Sequence, residues 1–388
     1  MKGVFLLAWR HLSYHRGRSA LLTLCILLSA LLPVAVQMLV DTYGRALVAR
    51  AQSTPLVVGA PGSRYDLVLN ALYFRGRPPR TTSMAEVEEL ELGGLGLALP
   101  LLARRSARDF PVVGCSHDYY AFRGVTFASG DAPLVLGDAV LGSRVARHLG
   151  LGVGDHLLTD RGSLYELSSG YPLRLEIVGV LAPTGSADDG AVLVDIQTAW
   201  IIEGIGHGHT AAEGASPDEI LESQGGAVAL NASVVEYTEI TPDNIDSFHF
   251  HAAPDELPLT AVLVVPRDSK EATLLKGRYR VSDDAQLLVP TEVIDELMGF
   301  VFRIKAFFDA NVILVSIATI LFLVLVVLLD LRARTREIET LRRIGCARGT
   351  LIGVLATEMG LILTTALAAA GLLAMLLVWY VGRGILGA

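Results

Sequence analysis

Four histidines fall in two short, similar patterns: His207 and His209 in GHGHT, His249 and His251 in FHFHAA. Side chains alternate between faces along an extended chain, so each His-x-His sends both imidazoles to one side. Two such pairs offer four nitrogen ligands, a set that zinc accepts. The stretch between them, AAEGASPDEILESQ, is acidic and loop-like and adds Glu213, Asp218 and Glu219. A solvated polar insertion with incidental histidines has the same spacing, because short motifs over-predict sites. The expectation is a zinc site on His207, His209, His249 and His251.

Other chemistry is sparse. No G-x-x-x-x-G-K-[ST] occurs, and the nearest match, LLKGRYR, has no glycine cradle for phosphates. No nucleotide cradle is therefore expected in this chain. No Ser/His/Asp set or carboxylate pair stands out by local spacing, and His117 and Asp118 read as surface residues. The three cysteines, Cys25, Cys115 and Cys346, fall in regions expected to be separated by a membrane, so no intrachain disulfide is expected. Glu358 stands within an apolar run, where ionisable groups are functional candidates by default. An interfacial carboxylate snorkelling toward Arg348 or the preceding loop is the other reading.

Apolar segments must position these residues. The 388 residues are 52% hydrophobic with mean hydropathy +0.49, too apolar for an ordinary soluble protein and too polar for a chain made only of spans. Three runs, 19–40, 312–331 and 351–380, carry the excess. A helical span needs about 20 apolar residues, and backbone in lipid must pair internally, so three transmembrane helices are expected. The third run has no Pro, Asn-Gly or charged turn at its middle and reads as one helix.

Lys2, Arg10, Arg16 and Arg18 precede the first span, and six arginines crowd 332–350, so both segments are expected to be cytoplasmic. Residues 41–311 are then outside, as is the tail 381–388. Residues 19–330 hold 21 Lys/Arg against 37 Asp/Glu, an acidic balance that excludes a basic nucleic-acid face. The first apolar run is longer than a signal-peptide core and reads as an uncleaved anchor.

Residues 1–18 place apolar side chains among basic ones, as in an amphipathic helix on the membrane surface. The first span can continue as helix to Gln52, where Pro55 ends it. LVVGA (56–60) reads as a strand and GSRYDLVLNALYF (62–74) as a helix started by Ser63. DAVLGSRVARHLGLGVGDHLLTD reads as strand, helix, Gly-rich turn and strand. LRLEIVGVLAPTGSADDGAVLVDIQTAW reads as two strands around a polar loop at 184–190. LTAVLVVP and AQLLVP read as strands flanking a helix near 270–276, so the outer region is α+β. From Thr291 a helical pattern leads unbroken into the second span, forming a stalk with the helix after the first. In the 332–350 loop, Ile338, Leu341 and Ile344 fall near one helix face, suited to a groove on a partner. Glu339 and Arg343 form an i,i+4 pair, and Gly345 is expected to end that helix.

Several stretches resemble the MacB/FtsX-like permeases of ABC transporters, the group of the macrolide exporter and the lipoprotein-release permeases. They are AWRHLSYHRGRSALLTL before the first span, VLGSRVARHLGLGVGD and LEIVGVLAPTG in the outer region, and RTREIETLRRIGCARGTLIGVLATEMGLIL at the loop. The resemblance implies an integral membrane α-helical protein with three transmembrane helices and a large extracytoplasmic α+β domain between helices 1 and 2. It implies a plasma membrane (bacterial inner membrane) location, a homodimer, contact with membrane lipid, and a periplasmic or outer-membrane partner. It also implies that the chain is itself not an enzyme, and that a separate ABC ATPase subunit, which holds ATP and Mg, docks on Arg334, Arg336, Glu337, Ile338, Leu341, Arg342, Ile344 and Gly345. The function implied is ATP-driven motion of the outer domain that exports or extracts a lipid, lipoprotein or hydrophobic compound. An ATP-driven regulator of an extracytoplasmic enzyme and a metal-sensing receptor are the alternatives.

Two departures stand out. Family members usually have a fourth span, whereas three are expected here and six in a dimer. VVGAPGSRYDLVLNALYF is a stretch that the macrolide exporters lack, associated with a three-span subgroup.

Overall fold

The computed structural model describes residues 2–161, 172–208, 220–224, 227–230, 237–250, 252–333 and 347–385, together with 335, 339, 340, 343 and 345. They form two units, Met1–Arg45 with Glu296–Ile385, and Ala46–Asp295.

From the N-terminus, α1 (Lys2–Tyr14) precedes α2 (Arg16–Gln52). Next come β1 (Leu56–Gly59), α3 (Arg64–Tyr73), β2 (Thr82–Ser83) and α4 (Met84–Gly93). The hairpin β3 (Leu97–Ala107) and β4 (Phe110–Cys115) leads to α5 (Asp118–Arg123), β5 (Phe127–Gly130) and β6 (Asp138–Leu141). Then follow α6 (Ser143–Leu149), β7 (His156–Leu158) and β8 (Arg174–Leu181). After a 3-10 turn (Ala187–Gly190) come β9 (Val192–Asp195), α7 (Ile196–Ile202) and β10 (Gly206–Gly208). Two short strands, β11 (Ile220–Gln224) and β12 (Ala227–Leu230), pair with each other. β13 (Phe248–Phe250), β14 (Pro258–Leu259), β15 (Ala261–Val265), α8 (Ser269–Tyr279) and β16 (Gln286–Leu288) follow. The helices α9 (Pro290–Ala333) and α10 (Arg348–Ile385) come last.

Ten strands of the outer unit form one mixed sheet in the order β16-β1-β15-β3-β4-β9-β6-β8-β5, with β7 paired to β8. β4 runs parallel to β9 and β6 to β8, and the other neighbours are antiparallel. β1 (LVVG) is buried at every position, which is why it reads as an unbroken apolar run rather than an alternation. Leu67 and Leu72 of α3, Leu99 and Leu101 of β3, Leu141, Ile177 and Leu193 are fully buried. Each such side chain contributes about 1.5–3 kcal/mol relative to exposure. The second strand expected around the 184–190 loop stops at Asp195. That carboxylate accepts the Gln197 N–H at 2.8 Å, caps α7, and turns IQTAWII into helix despite its β-branched and aromatic residues.

In the other unit, Leu22 and Ile26 of α2 pack with Ile362 and Ala366 of α10, and Leu12 of α1 joins them. Glu358, Ile362, Ala366, Ala370 and Ala374 recur every four residues as the buried stripe of α10. Small residues along such a stripe let helix backbones approach closely. Ser29 Oγ of α2 and Thr319 Oγ1 of α9 lie 3.0 Å apart. Among the described residues, Arg16–Gln52 and Gly349–Val381 are long and apolar enough to cross a membrane, and Asp309–Phe322 is a shorter apolar stretch.

Ser63 caps α3, its hydroxyl accepting the Asp66 N–H at 3.2 Å. Ser63→Ala is expected to destabilise the outer unit by about 1 kcal/mol. The full chain in detergent should then show a lower unfolding midpoint, and an unchanged one would deny the cap that role.

Candidate functional site

The most heavily built polar site in the outer unit lies at the end of α2. Arg50 is in its last turn, where a cation complements the helix dipole. Only 7% of Arg50 and 1% of Asp188 remain exposed. The guanidinium meets the Asp188 carboxylate with two nitrogens, Nη1 to Oδ2 at 2.6 Å and Nη2 to Oδ1 at 2.9 Å. Such a fork is the strongest geometry for this pair. Nη2 also donates to Tyr119 Oη at 3.0 Å, and Tyr119 Oη donates to Asp188 Oδ1 at 2.7 Å. The remaining nitrogen, Nε, donates to the Leu72 carbonyl at the end of α3.

Three parts of the outer unit converge on this guanidinium. The first is the end of α3, where Phe74 sits under Arg50 at 5.6 Å and Tyr73 Oη donates to the Leu47 carbonyl at 2.6 Å. The second is α5, which supplies Tyr119; Arg123 of the same helix stacks on that ring at 5.4 Å and donates to Thr54 at 2.9 Å. The third is the 184–190 loop. There Asp189 accepts the Thr184 and Gly185 N–H groups, each at 2.8 Å, and Ser186 Oγ donates to Asp188 at 2.8 Å. Gly142, at the start of α6, lies so close to the carbonyls of Asp188 and Asp189 that a side chain there would collide with them.

Burial by itself would raise the Asp188 pKa. The Arg50 charge and hydrogen bonds, with those of Tyr119, override it and hold the carboxyl down at about 2. Burial pushes the Tyr119 phenol up, with the Asp188 charge adding to the shift, so it stays a neutral donor. Nothing here resembles a nucleophile and its base. The arrangement fixes a helix end to a loop, which is a mechanical capability.

The residues singled out in the sequence lie elsewhere. Glu358 is 2% exposed, and its Oε1 lies 3.1 Å from His11 Nδ1 of α1. In the loop, Arg343 donates to Glu339 at 2.8 Å, and Gly345 has φ +92°, a left-handed conformation that ends a helix and favours glycine. Arg334, Arg336, Glu337, Ile338, Leu341, Arg342 and Ile344 lie outside the described residues. Cys25 and Cys115 are free thiols, and Cys346 lies outside the described residues. His207 and His249 face each other across β10 and β13, with ring centroids 5.0 Å apart. His209, His251, Glu213, Asp218 and Glu219 lie outside the described residues. Among the described residues no three His, Cys, Asp or Glu side chains converge as a metal-holding group. Arg50, Tyr119 and Asp188 went unnoticed in the sequence because their partnership spans 138 positions between Arg50 and Asp188.

Residues 19–233 match the MacB-like periplasmic core domain, and residues 311–387 match the FtsX-like permease C-terminal domain. The chain belongs to the MacB/FtsX-like ABC transporter permease family. No curated protein matches the sequence. Among solved structures it is similar to the periplasmic region of MacB from Actinobacillus actinomycetemcomitans, at 8% identity over 65% of this chain and 97% of that one, with a TM-score of 0.36. It is also similar to the extracellular domain of the noncanonic ABC-type transporter YknZ from Gram-positive bacteria. There the identity is 10% over 60% of this chain and 98% of that one, with a TM-score of 0.32. The outer unit is thus the extracytoplasmic domain of a membrane permease. Its Arg50 socket is lined by Leu72, Tyr73 and Phe74.

Removing one partner of a buried ion pair costs about 3–5 kcal/mol, so Asp188→Asn should lower the unfolding midpoint of the full chain markedly. The native carboxyl is held at about 2 against an ordinary 3.8, so the unfolded chain takes up the proton first. The Asp188 contribution is therefore intact above the ordinary value and is lost as pH falls toward the depressed one. Unfolding measured along that pH range should show a slope that Asp188→Asn diminishes. Identical profiles in the two proteins would deny the pair its role.

Proposed function

We propose that this chain is the permease subunit of an ABC transporter, converting ATP hydrolysis by a separate ATPase into motion of its extracytoplasmic domain. The cargo class is a lipid, lipoprotein or hydrophobic compound exported or extracted from the membrane. The observation that carries this reading is α2, a single helix from Arg16 to Gln52 whose last turn is held by the buried Arg50–Asp188 pair. At 1.5 Å per residue its 37 residues extend about 55 Å, enough to cross a bilayer and continue beyond it. A helix anchored at its far end passes displacement on instead of dissipating it. The 44-residue α9 is a second such element.

The spans are 19–40, 312–331 and 351–380, with the N-terminus and the 332–350 loop cytoplasmic and the C-terminus outside, in a bacterial inner membrane. The arginine bias supports this orientation. The ATPase docks on Arg334, Arg336, Glu337, Ile338, Leu341, Arg342, Ile344 and Gly345. The i,i+4 pairing of Glu339 with Arg343 and the left-handed Gly345 support this reading. The working unit is a homodimer. Leu21, Leu24, Leu28 and Leu32, all exposed along one side of α2, offer an apolar surface to a second copy and to lipid. The His207–His249 pair favours, as a second reading, a receptor that senses metal outside and signals inward.

Tagged chain drawn from gently solubilised native membranes should bring with it an ATP-binding subunit and ATPase activity. Leu341→Asp places a charge on the apolar stripe, and both should then be lost while the permease stays folded. Undiminished co-purification by Leu341→Asp would reject the docking face. A folded parent that captures no ATPase would reject the permease reading in favour of the receptor.

A further inference from the structure

The ribbon of β10 and β13 has two unlike faces, set by the sequence alternation. β10 is Gly-His-Gly and β13 is Phe-His-Phe, paired antiparallel as Gly206 with Phe250, His207 with His249, and Gly208 with Phe248. With a period of two, both phenylalanines point to one face and both histidines to the other. The phenylalanine rings lie across Gly206 and Gly208, in space that any side chain there would fill. Both rings pack against the core of the outer unit, and Phe250 meets Trp200 edge-on at 6.0 Å. A slip of one residue would exchange the two faces, so the aromatic packing pins the register that sets His207 opposite His249.

The geometry points to a binding site for a divalent transition metal such as zinc, which accepts imidazole nitrogens, held by His207 and His249 together. The ring centroids are 5.0 Å apart and the planes are inclined by 66°. Two imidazoles on one tetrahedral ion, with metal–nitrogen bonds of about 2.0–2.1 Å, have centroids about 5.2 Å apart. The rings therefore already stand at chelating separation. His249 Nδ1 lies 2.8 Å from the Ser247 carbonyl, which can only accept, so Nδ1 carries the proton and donates. That fixes the tautomer with the lone pair on Nε2, the arrangement by which metal-ligating histidines are oriented from behind. Among the described residues no third His, Cys, Asp or Glu joins them as a ligand, and a metal held there would clip one strand of the ribbon to the other.

The test uses the full chain in detergent, stripped with chelator and titrated with ZnCl2 by calorimetry, together with His207→Ala and His249→Ala. Loss of a hydrogen-bonding residue behind a ligand already costs about 10–100-fold in affinity, so loss of a ligand should weaken zinc binding at least tenfold in each variant. Zinc should also raise the unfolding midpoint of the parent but not of either variant, since only a ligand of the folded state stabilises it. The metal-free midpoints should stay close to that of the parent, because His-face truncation leaves the Phe248 and Phe250 packing in place. Equal affinity in parent and variants, or no binding by the parent at millimolar zinc, would overturn the assignment. Both outcomes are independent of whether an ATPase co-purifies.

Discussion

The Arg50 guanidinium is withdrawn from water almost completely, and an unpaired cation there would cost several kcal/mol. What surrounds it can be understood as the set of acceptors that makes this burial possible. Asp188 supplies the opposing charge, Tyr119 bridges the two, and the Leu72 carbonyl takes the last nitrogen. To deliver these groups, α3 must end where it does, α5 must present Tyr119, and the 184–190 loop must keep one shape. Asp189 and Ser186 hold that shape from within, and Gly142 admits the loop from behind. A buried pair of this kind contributes specificity more reliably than net stability. An apolar contact would have bound α2 as firmly without dictating how the loop must sit.

In the Met1–Arg45 and Glu296–Ile385 unit, a four-residue repeat of mostly small residues forms the buried face of α10, and the polar member of that stripe, Glu358, meets His11 of the surface helix α1. An imidazole facing a carboxylate ties α1 to α10. In the extracytoplasmic unit, ten strands form one sheet with buried inner strands. The stretch from Leu56 to Phe74 supplies β1, α3 and the socket wall.

Much of the fold is legible in the sequence wherever a local signal decides it. Ser63 announces α3 and Pro55 the end of α2. The apolar LVVG run gives β1, and the Gly-rich turn after α6 separates helix from strand. IQTAW was misleading because its composition favours a strand, while a single capping carboxylate two residues before Gln197 starts a helix. The Arg50 socket was not legible at all. Its members lie in four separate stretches and none is unusual by itself, so only the folded arrangement reveals that a polar loop and a helix end share one charge pair. The His pair stands between these cases. Alternation predicts which face each histidine takes, but the pairing of β10 with β13 across 40 residues is a tertiary fact.

In the proposed mechanism, ATP turnover in a partner moves the extracytoplasmic domain through the anchored end of α2. Hydrogen exchange of the 184–190 loop, measured in the ATPase-bound complex with ATP and with ADP, tests it most directly. The loop should exchange at different rates in the two nucleotide states, and Arg50→Met should abolish that difference while leaving ATPase binding intact. A loop whose exchange is the same with ATP and ADP, in a complex that hydrolyses ATP, would contradict the account.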